Sequence, residues 1–165
     1  KARALAEELV QQLGLSARAV ASYREALAGA DVACACTHSP EPVVRREWVP
    51  QGIHLNSVGF NPEGPEVDGA TVAEALLVVE SRQAALSPFP AGPQDIQGPL
   101  GQGLITPEHI HAEVGELVLG RRPGRTSPEQ VTLYKSVGVA AQDAAAAALV
   151  LAEAERRGVG VVVCL

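Results

Sequence analysis

The residues in this sequence that could do chemistry lie in short stretches at the ends of apolar runs. Cys36-Thr37-His38-Ser39 closes one run and Val58-Gly59-Phe60-Asn61 closes a second. Tyr134-Lys135-Ser136-Val137-Gly138 joins a third to an alanine-rich segment. Thr37, Ser39 and Ser136 offer hydroxyls, Asn61 offers an amide that both donates and accepts, and Gly59 offers a backbone that a flat ligand can approach. Backbone N–H groups where the alanine-rich segment starts would attract an anionic or carbonyl group, with Lys135 adding charge. Each stretch also reads as an ordinary strand-end turn or helix cap, and the residues alone leave both readings open.

Other chemistries have less to stand on. The phosphate-cradling spacing G-x-G-x-x-G is missing, because Gly98-Pro99-Leu100-Gly101-Gln102-Gly103 has its glycines at the wrong intervals, a proline among them and no strand before it. His109 and His111 stand two apart on an expected helix, so they face different directions as surface residues and not as a metal pair. No metal is expected. His54 points out of a strand with no visible partner, and of the four histidines only His38 lies beside an expected site. Cys34 and Cys36 would share one face of a strand, a spacing unsuited to a disulfide. With Cys164 they read as small buried hydrophobes in a reducing cytoplasm.

To position these stretches the chain needs strands that end together. Asp31 to Thr37 is a compact run of small apolar residues, expected to be a strand buried on both faces. Gly52 to Gly59 and Leu76 to Glu80 are further strands, with helices at Thr71 to Ala75 and around Ser81 to Leu86. Before them come a helix from Ala2 to Leu13 stopped by Gly14, a short edge strand at Ala17 to Ala21, and a helix from Tyr23 to Ala28 capped by Ser22. Ser87 to Gly103, rich in proline and glycine, is expected to be loop. Thr106-Pro107-Glu108 opens a helix carrying Ile110, Val114 and Leu117 and ending at Gly120. Val131 to Tyr134 is extended, and Val139 to Arg157 is a long alanine-rich helix. Alternating strands and helices with short joints call for an α/β fold, a doubly wound parallel sheet that binds its ligand outside the carboxyl ends of the strands.

Composition narrows the classes. The 165 residues suit one core of ordinary size, built from Ala, Val and Leu because aromatics make up only 3%. A net charge of -6 with no basic patch argues against a nucleic-acid partner. Neither a membrane span nor a signal peptide is visible.

Taken together, several pieces resemble the ornithine cyclodeaminase and mu-crystallin family, in a bacterial, actinobacterial-like form. They are Ala30-Asp31-Val32 running to Thr37, Trp48-Val49-Pro50 with Gly52 to Gly59, Glu80-Ser81-Arg82-Gln83-Ala84-Ala85, His111 to Leu117, and Lys135-Ser136-Val137-Gly138 followed by Gln142-Asp143. The resemblance covers nearly the whole chain in the right order. It implies an incomplete Rossmann-like domain over residues 1–120 and a C-terminal segment, 121–165, whose long helix would return to a substrate and dimerisation domain. It also implies NAD or NADP as cofactor, an amino acid or cyclic imine as substrate, and a homodimer. By position, Thr37, Val58, Gly59, Phe60 and Ser136 match cofactor-lining residues, and Val137 and Gly138 match residues beside the substrate.

The activity so implied is the conversion of L-ornithine to L-proline and ammonia. The alternatives are ketimine reduction, amino-acid dehydrogenation, or non-catalytic binding of the mu-crystallin kind. One departure bears on the choice. Where cyclodeaminases of the family carry an acid/base aspartate this chain has Asn61, whose amide cannot accept a proton at neutral pH but still forms hydrogen bonds. Lys1-Ala2-Arg3 enters a helix with neither an initiating methionine nor a cap, which suggests a piece of a longer polypeptide. The family's glycine-rich turn and substrate domain would then lie upstream, and the piece alone would be inactive.

Overall fold

In the computed structural model, which describes residues 1–163, five strands form one all-parallel sheet. They are β1 (Val32–Ala35), β2 (His54–Ser57), β3 (Leu76–Val79), β4 (Ile110–Glu113) and β5 (Thr132–Lys135), arranged in the order β1-β2-β5-β3-β4. The helices are α1 (Ala2–Leu13), α2 (Tyr23–Leu27), α3 (Gly69–Glu74), α4 (Arg82–Ala85), α5 (Gln94–Gly101), α6 (Val114–Val118) and α7 (Ala140–Arg157). The expected parallel α/β sheet is the one that forms. Its last strand, β5, lies at the centre between β2 and β3.

Burial follows from strand alternation. Leu55 and Ser57 of β2, Leu77 and Val79 of β3, and Leu133 and Lys135 of β5 point to one face and are all buried. There they meet Val72 of α3, Ala85 of α4 and Ile96 of α5, which are fully buried. The opposite face is open. Val32, His54, Asn56, Leu76, Val78, Thr132 and Tyr134 line a groove there of about 620 Å³, bordered by Val114 and Leu117 of α6 and by Arg125. No residue of α1 or α7 is buried.

Several expectations are corrected. Residues 87–103 are not all loop, because α5 forms with Pro99 inside it. Ile96 and Pro99 are buried, and Pro99 packs against Gly69 at the start of α3, so tertiary contact overrides the composition. The helix expected from Thr106 to Gly120 is instead a short 3₁₀ turn (Pro107–His109), strand β4 and helix α6. In β4 Ile110 and Ala112 are buried alternately, a period of two that the spacing of Ile110, Val114 and Leu117 conceals. Residues 17–21 are not strand. The first strand is not buried on both faces, since Val32 and Cys34 point to the open face. Cys34 and Cys36 are therefore exposed free thiols and not buried hydrophobes, while Cys164 lies outside the described residues. His54 has a partner after all, its Nδ1 lying 2.7 Å from Thr132 Oγ1. His109 and His111 are partly buried, with Nε2 atoms 2.8 Å from the carbonyls of Val72 and Pro123. Among the described residues no helix is long and apolar enough to cross a membrane, and no group of three metal-ligating side chains occurs.

Candidate functional site

Parallel pairing makes the strand ends coincide. Ala35 pairs with Ser57, Ser57 with Lys135, and Val79 with Lys135, so the segments starting at Cys36, Val58, Glu80 and Ser136 emerge side by side. A cleft of about 310 Å³ opens there, lined by Val58, Gly59, Phe60, Ser136, Val137 and Gly138 together with Lys135 and the loop residues Pro90, Ala91 and Pro93. Val58 and Phe60 remain 51% and 46% exposed although they are large apolar residues. Seven of the residues singled out from the sequence, Lys135 among them, thus share one cleft. Thr37 and Asn61 do not line it.

Thr37 and Gly59 are held by a carboxylate that sequence reasoning missed. Glu66 is buried, and its Oε1 accepts from the Thr37 N–H at 2.5 Å and the Thr37 hydroxyl at 2.8 Å. Its Oε2 accepts from the Ser57 hydroxyl at 2.8 Å and the Gly59 N–H at 2.9 Å. Burial alone would push the Glu66 carboxyl up, but these hydrogen bonds outweigh it and hold the group below the usual carboxylate range. Gly59 is glycine for a reason internal to the protein, since a Cβ there would run into the Thr37 carbonyl and the Glu66 carboxylate.

Lys135 is buried beneath the same cleft, at 1% exposure, and its charge, expected to add to the pull of the helix start on an incoming group, is taken up by partners inside the protein. Its ammonium donates to Gly59 O at 2.6 Å and Ser57 Oγ at 3.1 Å, and pairs with Asp95 Oδ2 at 3.1 Å. Asp95, on α5, also accepts the Glu66 and Val67 N–H groups at 3.0 and 2.8 Å. Every donor of Lys135 and both oxygens of each carboxylate are engaged, as a buried charged cluster requires. The only sequence signal for this cluster was its residue types. Lys135 stood in an apolar run, whereas Glu66 and Asp95 stood in stretches that read as loop.

A second carboxylate governs the neighbouring strand end. Glu80 Oε1 accepts the Ser136 hydroxyl at 2.6 Å and Oε2 accepts the Val137 N–H at 2.8 Å, so this N–H is not free for an incoming anion. Burial works to raise the Glu80 carboxyl, yet bonds from Ser136, Val137 and Tyr134 bring it below its ordinary value. The Tyr134 phenol is pushed up to about 12 by burial and by its bond to Glu80, so it stays protonated and donating.

Asn61 caps the β2 exit loop. Its Nδ2 donates to the His38 carbonyl at 2.9 Å and its Oδ1 accepts the Glu63 N–H at 2.7 Å. His38 Nδ1 in turn meets the Phe60 carbonyl, which ties the loops after β1 and β2 together.

A parallel sheet with a mixed polar and apolar cleft at its carboxyl end is the architecture of dinucleotide-binding α/β proteins. Within that class the chain belongs to the ornithine cyclodeaminase/mu-crystallin family, whose model matches residues 1–158. It is 37% identical over 162 residues to a Delta(1)-pyrroline-2-carboxylate reductase of Bacillus cereus, covering 97% of this chain and 48% of that protein. To the ketimine reductase mu-crystallin of Mus musculus it is 35% identical over 151 residues, 91% of this chain and 44% of that one. Among solved structures, the Thermococcus litoralis Delta(1)-pyrroline-2-carboxylate reductase in complex with NADH and L-proline superposes with a TM-score of 0.88 at 39% identity, covering 97% of this chain and 49% of that one. The chain spans about half the length of these relatives.

Proposed function

We propose that the full-length protein is an NAD(P)H-dependent reductase of a cyclic ketimine such as Δ1-pyrroline-2-carboxylate, and not an ornithine cyclodeaminase. One observation carries the choice between them. The Asn61 side chain, which stands where cyclodeaminases of the family carry their acid/base aspartate, can take no proton and is bonded at both ends to backbone. Reduction of a carbon–nitrogen double bond needs a hydride and a proton but no base to deprotonate a substrate amine. The names of the relatives at 35–37% identity support the same reading.

The cleft fits a nicotinamide. Val58 and Phe60 keep apolar surface available at the strand ends, Gly59 adds a stretch of wall with no side chain, and the Ser136 hydroxyl stands opposite to bond a carboxamide. When bound, the cofactor supplies the hydride. The chain's own part is to hold the ring between Val58-Gly59-Phe60 and Ser136, with Val137 and Gly138 beside the substrate and Thr37 bracing the wall from behind through Glu66. A 1–120 cofactor unit, a 121–165 segment reaching a second domain, and a homodimer belong to the same proposal. It is supported by the eighteen residues of α7, none buried, with Leu149, Val150 and Leu151 exposed. The test is direct. Full-length protein given NADH or NADPH and Δ1-pyrroline-2-carboxylate should consume the cofactor, followed at its near-ultraviolet absorbance. Ammonia release from L-ornithine without ketimine reduction would overturn the assignment.

A further inference from the structure

We infer that Glu80 is a positioning residue that fixes the Ser136 hydroxyl as a hydrogen-bond acceptor toward the cleft, so that the site selects a ligand presenting an amide N–H there. The inference rests on the nicotinamide reading of the cleft and deepens it. A serine hydroxyl has one proton and two lone pairs. Its proton is directed at Glu80 Oε1 at 2.6 Å, the short distance of a charge-assisted bond. Three arrangements keep it there. The carboxylate is ionised and can only accept; its other oxygen is held in place by the Val137 N–H; and Tyr134, also bonded to it, is a phenol and so a much poorer acceptor for the Ser136 proton. Because β3 and β5 are neighbours and Val79 pairs with Lys135, Glu80 and Ser136 leave the sheet together, and the bond costs no loop ordering.

Ser136 lines the cleft while Glu80 stands behind it, so what reaches the cleft from this hydroxyl is lone-pair density. A carboxamide would therefore turn its –NH2 to Ser136 and leave its carbonyl for another partner. The direction of this one proton sets which way round the amide group sits.

The test compares two ligands in the full-length protein, NADH and its reduced 3-acetylpyridine analogue, whose methyl ketone has no N–H. Dissociation constants come from fluorescence or calorimetry, with no turnover needed. Wild type should bind NADH roughly three- to tenfold more tightly than the analogue, the range of one hydrogen bond. Glu80→Gln allows the amide NH2 to donate to Ser136 and turn its proton toward the cleft, and Ser136→Ala removes the group; either should bring the ratio near one. Wild-type preference that survives in Glu80→Gln overturns the role of Glu80, whatever Ser136→Ala does, and leaves cofactor binding intact. Equal wild-type affinity for the two ligands also overturns it. Failure of wild type to bind either ligand overturns the inference and the nicotinamide reading together. Should Glu80→Gln fail to fold, Glu80→Asp takes its place: the shorter carboxylate draws back from Ser136 and should likewise bring the ratio near one, and a preserved ratio overturns the role of Glu80.

Discussion

Replacing Lys135 by Met keeps the length of the side chain and removes its charge, which makes it the sharpest probe of how the cleft floor is held. In the wild-type cluster the ammonium satisfies the Gly59 carbonyl and neutralises Asp95, while Ser57 keeps its own bond to Glu66. After the substitution the Asp95 carboxylate is buried with its backbone donors but no cation, and the Gly59 carbonyl has no donor. Breaking one side of a buried pair in this way costs about 3–5 kcal/mol. Set against a typical stability of about 5–15 kcal/mol, that is a large fraction. With a urea m-value of about 2 kcal/mol/M, the unfolding midpoint should fall by about 1.5–2.5 M with the slope unchanged. The Lys135→Met, Asp95→Leu double variant should cost less than the two single changes added, by about 1–3 kcal/mol, because the second change removes the orphaned charge. A Lys135→Met midpoint within about 0.5 M of wild type (about 1 kcal/mol), or strict additivity, would refute the view that the strand ends are braced by this ion pair.

Three further outcomes follow from the same geometry. Gly59→Ala should destabilise by about 3 kcal/mol or more, read from thermal melts, because the new Cβ meets the Thr37 backbone and a pinned carboxylate and neither can yield easily. Glu66, whose folded-state pKa is depressed, contributes stability that is present above the unfolded carboxylate range near pH 4.5 and is lost as pH falls through the lower folded value; Glu66→Gln should flatten that acid limb in denaturation measured between about pH 3 and 6, and an unchanged limb counts against it. Asn61→Asp removes the donor to the His38 carbonyl and should cost about 1–2 kcal/mol of stability. It should alter turnover more than cofactor affinity without producing ammonia release from ornithine, and ammonia release would reopen the cyclodeaminase reading.

What the sequence made legible depends on how local each signal was. The strand ends at Thr37, Gly59 and Ser136 could be located because short apolar runs closed by Gly, Ser or Thr mark the exit of a buried parallel strand, and parallel order then brings them together. The cap at Ser22 was equally local, its side chain accepting the Glu25 N–H. By contrast α5 was hidden because its helical state depends on Ile96 and Pro99 docking and on Asp95 reaching Glu66 and Lys135, partners 29 and 40 residues away in the chain. The carboxylates Glu66 and Glu80 were missed for a related reason. A single acidic residue beside a turn carries no periodicity, and only the fold shows that each organises two strand ends. The open sheet face was also beyond reach, because β1 shows the same small apolar residues whether or not a second layer covers it.

The central place of β5 has a consequence for how the molecule comes into being. Its partners on either side, β2 and β3, leave the ribosome long before it does, and the pairing of His54 with Thr132 joins residues 78 positions apart. Until residue 135 has emerged the nascent sheet is two separate halves with bare inner edges, and Glu66 and Asp95 wait without their lysine. Such long-range closure slows folding. Synthesis that stalls shortly before this strand should therefore yield a chain prone to edge-to-edge association, and emergence of residues 132–135 should abolish that tendency.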